Sequence, residues 1–145
     1  MKGITWKQAK RNLATIWFIL SLVLFAFVFM QTTVGNVYGD SKAEAWEWLL
    51  PAIMPTLSLI IGVVTIESTN RSEDSKKVDR FQYRLAFYLS FVYLLALLLT
   101  LILQQFNGAG AMDALDSSSA WLGGFQGLVG GALGVFFVRT KSNGD

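Results

Sequence analysis

The chain has 145 residues, 53% of them hydrophobic and 15% charged, with a net charge of +2 and a mean hydropathy of +0.46. It has no cysteine and no histidine, which excludes disulfides, thiolate chemistry and histidine-based catalysis or metal ligation. No nucleic-acid partner is expected, since anionic lipid headgroups account for the basic residues.

Four uncharged apolar runs, 13–30, 48–66, 85–103 and 120–138, contain 18 or 19 residues each, and about 20 are needed to cross the hydrocarbon core of a bilayer. Buried helices of a soluble protein this size would be shorter and would show a polar face. The fold class expected is all-α: a polytopic membrane protein with four transmembrane helices in a compact bundle joined by short loops. The spans lie at about 13–33, 45–67, 84–105 and 119–139, in one domain covering 1–145. What remains outside the spans is too little for a separate soluble domain.

Eleven of the twelve Lys and Arg residues fall in the N-terminal segment, the middle loop and the C-terminal tail, and Lys42 alone falls on the other side. By the positive-inside rule both termini are then cytoplasmic, in a multi-pass protein of the inner (cytoplasmic) membrane. The opposite face carries Asp40, Glu44, Glu47, Asp113 and Asp116. Anionic headgroups favour such a basic inner face, so the lipid bilayer accounts for it.

Residues 1–12 mix Ile4, Trp6 and Ala9 with Lys2, Lys7, Lys10 and Arg11. That composition fits a short segment lying in the inner headgroup layer, and fits a disordered basic anchor equally well. The first apolar run is too long for the core of a signal peptide and has no small-residue cleavage site after it, so it reads as a retained span. Trp17 is expected near the inner interface. Phe18, Phe25, Phe27 and Phe29 surround span one, which reads as lipid-facing.

Turns are expected at Gly35, Asn36 and Gly39. Ser41-Lys42-Ala43-Glu44 is a capping-box pattern, which starts span two several residues before its apolar run. Pro51 and Pro55 then lie inside the helical pattern, where each removes a backbone donor, and a helix kink is expected there. Ser58, Gly62 and Thr65 continue the small, weakly polar stripe that the prolines begin.

The middle loop, 67–84, is the most polar part of the chain, with Arg71, Lys76, Lys77 and Arg80 as candidate docking residues for a soluble cytoplasmic protein. A plain solvated connector has the same composition. From Lys76 onward nothing breaks the pattern into span three, which is expected to extend as a helix beyond the membrane. Within span three Ser90, Tyr93, Leu97, Thr100 and Gln104 recur at alternating spacings of three and four, one seam of a helix. Polar groups at that depth need partners, so Ser90, Tyr93, Thr100 and Gln104 either bond to neighbouring helices or line a pore.

The second outer loop, 107–119, is rich in Gly, Ala and Ser and is expected to be flexible, with Ser117–Ser119 offering an N-cap for span four. In span four Gly123, Gly127, Gly130 and Gly134 fall on one helical stripe, which Gly124 and Gly131 widen. Helices in lipid associate through such small residues, so Gly123, Gly127, Gly130, Gly131 and Gly134 are the expected packing and oligomer contact. Leu128 and Phe136 lie off the stripe and are expected to matter far less.

None of the four apolar runs holds Asp, Glu, Lys, Arg or His, so no catalytic, cofactor-binding or metal-binding residues are assigned and the protein is not expected to be an enzyme. The glycines of span four lack the lysine and the strand-to-helix context of a phosphate loop. Small four-helix multidrug transporters are similar in helix count, but they rely on an acidic residue in the first helix, which is absent here. Holins and small multi-span pore effectors of bacterial defence operons are similar in size and topology alone. The leading expectation is a homo-oligomeric pore or channel-type component, or one that perturbs the membrane. Its path would be fronted by the Ser90–Gln104 stripe or by span two. The alternative is a membrane-anchored subunit that docks a cytoplasmic partner through 67–84.

Overall fold

The computed structural model describes residues 5–69, 80–106 and 110–142. They form four helices: α1 (Trp6–Thr33), α2 (Lys42–Thr69), α3 (Arg80–Leu103), which ends in a 3-10 turn (Gln104–Phe106), and α4 (Ala111–Ser142). Each contains a stretch long and apolar enough to span a membrane: Lys7–Thr33, Lys42–Thr65, Arg80–Phe106 and Met112–Phe137. At ~1.5 Å per residue the shortest of these still rises about 36 Å, more than the ~30 Å of a hydrocarbon core. No more than 33% of any apolar window is buried within the bundle. Large side chains such as Leu22 (70% exposed), Phe81 (72%) and Leu128 (62%) therefore point outward. Water would penalise a surface of that kind and lipid would not.

The helix ends differ from expectation in two places. Residues 6–12 are the first turns of α1, not a separate interfacial segment, and Lys10 is buried there. Residues 111–119 are likewise already helix. Ser117, Ser118 and Ser119 donate to the carbonyls of Ala114, Leu115 and Asp116 at 3.0, 2.6 and 2.7 Å. A hydroxyl donating back three residues is satisfied inside a helix and does not cap one. Ser41, by contrast, directly precedes α2 and its carbonyl accepts from the Ala45 N–H at 3.3 Å, the N-cap position. In the connection between α1 and α2 the positive φ falls at Asn36 (44°) and Gly39 (53°), and the turn carries Tyr38 back into the interior.

The four helices close into a ring in the order α1, α2, α4, α3, with α3 against α4 the most extensive pairing. Along the seam between α1 and α3, Trp17, Ser21, Leu24, Val28 and Gln31 are buried at spacings of four and three, as are Ser90, Tyr93, Leu97, Leu101 and Gln104. The Trp17 and Tyr93 rings lie 6.2 Å apart, and Gln104 bonds to Gln31 two turns or more further along, so the two helices run parallel. Trp17 is thus a core residue, not an interfacial one. Span one is only partly outward-facing: Phe18 and Phe29 are exposed, while Phe25 and Phe27 pack against the core.

Span four shows a sharper reversal. Its buried face is made of Leu115, Leu122, Val129, Leu133, Phe136 and Phe137. Phe136 is fully buried, with the rings of Tyr83 and Phe137 at 6.2 and 5.3 Å, so it belongs to the core and not to an inconsequential surface. Leu128 does point away.

Candidate functional site

Pro51 and Pro55 both lie within α2, which passes through them without interruption. The kink expected at the prolines is therefore not a break in the helix. Chemistry still leaves a gap, because the N–H that would reach the Pro51 carbonyl belongs to position 55, and proline has none. Gln126 of α4 fills it: its Nε2 donates to the Pro51 carbonyl at 2.7 Å and to the Ala52 carbonyl at 3.3 Å. Tyr93 of α3 donates its hydroxyl to the same Ala52 carbonyl at 2.9 Å. Three helices thus meet on two adjacent carbonyls in the third turn of α2, roughly 15 Å along it from Lys42. Helix-breaking residues are tolerated at membrane depth when neighbours satisfy the freed backbone in this way. The Phe125 ring stacks on Tyr93 with centroids 6.1 Å apart and holds it in place.

A second polar layer sits at the ends of α1 and α3. Tyr38 donates to Gln31 Oε1 at 2.7 Å, and Gln104 Nε2 donates to Gln31 Oε1 at 3.1 Å and also to the Tyr38 hydroxyl. All three side chains are buried. Burial pushes the Tyr38 phenol above its ordinary pKa, against the opposing pull of the Gln104 hydrogen bond, so the layer is uncharged. The buried polar atoms Trp17 Nε1, Ser21 Oγ, Gln31 Nε2, Ser90 Oγ and Gln104 Oε1 have no hydrogen-bond partner among the described residues, and all lie along the α1–α3 seam. Replacing Gln104 with leucine should destabilise the protein by about 1–2 kcal/mol, the usual consequence of leaving a buried partner unpaired. Because Gln31 shares the network, the Gln31→Leu/Gln104→Leu pair should cost less than the sum of the singles in detergent unfolding. Additive losses would mean that the two amides act separately.

The stripe on span three therefore turns into the bundle. Ser90, Tyr93 and Gln104 are buried, two of them bonded across helices, and Thr100 is half-buried and donates to the Ala96 carbonyl at 2.8 Å. Between the two polar layers Leu24, Val28, Leu97 and Leu101 close the seam with side chains that offer water no partner.

The glycines of α4 do the opposite. A Cβ built on Gly123, Gly124, Gly127, Gly130, Gly131 or Gly134 would meet nothing within 4 Å, and the same holds for Gly62 of α2. Among the described residues, no other helix comes within that distance of them. On the helical wheel Gly123, Gly127, Gly130 and Gly134 flank Gln126 on the side away from the buried face. Pro51, Pro55, Ser58, Gly62 and Thr65 are all exposed and share the outward side of α2. Because Gln126 joins Pro51 across the α2–α4 seam, the two small-residue faces border one another. Of the candidate docking residues, Arg80 is exposed at the start of α3, and Arg71, Lys76 and Lys77 lie outside the described residues.

Gln31, Tyr38, Gln104 and Gln126 each make side-chain hydrogen bonds between elements. Gln31 continues the buried α1 seam and could have been picked out by that spacing. Nothing local links Tyr38 to it. No family model, curated protein or solved structure matches this chain.

Proposed function

We propose that this is a homo-oligomeric, pore-type protein of the inner membrane, in which the glycine face of α4 packs one copy against the next. The observation that carries the reading is that a Cβ on any of six glycines of one helix would meet nothing within 4 Å among the described residues. Glycine in a helix interior forgoes roughly 1 kcal/mol of helix propensity per residue, and close backbone approach by a second helix is the compensation lipid allows. The inward turn of the span-three stripe leaves α2 to front the path, through Ser58, Gly62 and Thr65 beside the glycine face.

Mass in lipid nanodiscs and dye release from liposomes test assembly and path separately. The expected result is a defined multimer that releases a small dye. A chain that stays a single copy at every concentration in lipid overturns the assembly, and a multimer that leaves liposomes sealed overturns the path.

In the proposed orientation both termini are cytoplasmic. Cysteine introduced at Ser41 or at the exposed Ser117 should then react with an impermeant thiol reagent in intact cells, and cysteine at Ser75 should not. Labelling at Ser75 would reverse the topology.

A further inference from the structure

We propose that α2 contains a hinge at Pro51–Pro55 and that Gln126 of α4 is its latch. Where a helix carries all its N–H groups, its ladder bonds break only when the helix itself unwinds. Here one rung has been handed to another helix: the Pro51 carbonyl has no donor at position 55 and takes Gln126 Nε2 at 2.7 Å in its place. Both partners of the Gln126 amide are carbonyls, so only its NH2 end can serve.

The two neighbouring carbonyls are not equivalent. Ala52 has a non-proline residue four positions on, Thr56, and also receives the Tyr93 hydroxyl at 2.9 Å, so it keeps partners if Gln126 leaves. Pro51 has no such donor four positions on. Tyr93 is fully buried and acts as the fixed anchor, while Gln126 is half-buried on the α2–α4 seam and can be displaced. With the latch closed, the halves of α2 on either side of the prolines are held to α4 as one body. With it open, the half that carries Ser58, Gly62 and Thr65 is free to swing, since the rung that would resist bending is absent. Gln126 is one turn from Gly123 and Gly130, so whatever occupies the glycine face bears directly on the latch. The consequence for permeation rests on the pore-type reading above, but the hinge itself does not.

The test is a double-mutant cycle on the full chain in nanodiscs, read by amide hydrogen exchange of α2. Gln126→Leu should raise exchange around the prolines by about tenfold, as expected for one hydrogen bond of ordinary net worth. Pro55→Ala restores an N–H aimed at the Pro51 carbonyl, so the Gln126→Leu/Pro55→Ala protein should exchange at close to the wild-type rate. If the increase persists in the double variant, or if Gln126→Leu changes nothing, there is no latch. Should Gln126→Leu fail to fold, recovery of folding by Pro55→Ala supports the latch and failure to recover overturns it. Dye release is a separate readout: on the pore-type reading Gln126→Leu raises it. Sealed liposomes with wild-type protein would remove the path and leave the exchange result to decide the hinge.

Discussion

Leucine at Gly127 or Gly130 is expected to split the oligomer while leaving the protomer folded. The two consequences separate because of where the glycines point. A Cβ at either position meets nothing of its own chain within 4 Å, so the added side chain has room in the isolated fold. Removing a glycine from a helix interior also improves helix propensity, by up to about 1 kcal/mol. Stability of the single copy should therefore hold or rise slightly. Between copies the same side chain stands the helices apart. Dispersion contacts fall steeply with distance, and lipid returns no hydrophobic gain to offset the loss. Association should weaken tenfold or more, roughly 1.4 kcal/mol at least, and mass at matched concentration would fall towards one copy. An unchanged multimer in both variants, or loss of folding together with assembly, would place the contact elsewhere.

Phe136→Ala should do the reverse: destabilise the protomer by about 2 kcal/mol, with assembly affected only through folding. The ring is fully buried between Tyr83 and Phe137. Truncation forfeits a dozen or more heavy-atom contacts at ~0.1–0.2 kcal/mol each. Leu128→Ala, at an exposed position of the same helix, is the control and should shift detergent unfolding by less than about 0.5 kcal/mol. Equal effects at the two positions would mean that α4 is not oriented as described.

Side by side, these substitutions show how the expected stripe and the observed face of α4 differ in meaning. Spacing groups the glycines on one side of a helix, but it does not say what covers that side. The side chains that α4 turns into the bundle are large ones on another face of the helix, Leu122, Val129, Leu133 and Phe136. In the same way Ser90, Tyr93, Leu97 and Gln104 share the buried side of α3, with Leu101 in place of Thr100, and the choice between a pore lining and interhelical bonding depended on which helix stands opposite. Gln126 is the strongly polar residue of the fourth apolar run, and Pro55 is a residue without a donor. Their pairing spans 75 residues of chain and has no local signature.

Helix number, order and class follow from composition along the chain, because the requirement is local: each span must be apolar over its own length and satisfy its own backbone. Helix ends are less well specified. Intrahelical bonding continues past the edge of the apolar run wherever water can receive the side chains, which is why α1 already begins at Trp6 and α4 at Ala111. Which side of each helix faces inward was decided only by the tertiary structure. A soluble helix marks its buried side by polarity, because water demands a polar face. Lipid and protein interior are equally apolar, so a span can present phenylalanine or glycine to either, and shape and hydrogen bonding between helices settle the matter. Trp17, Phe136 and the glycines of α4 were placed by that fit, and so was the bond by which Gln126 completes the backbone of α2.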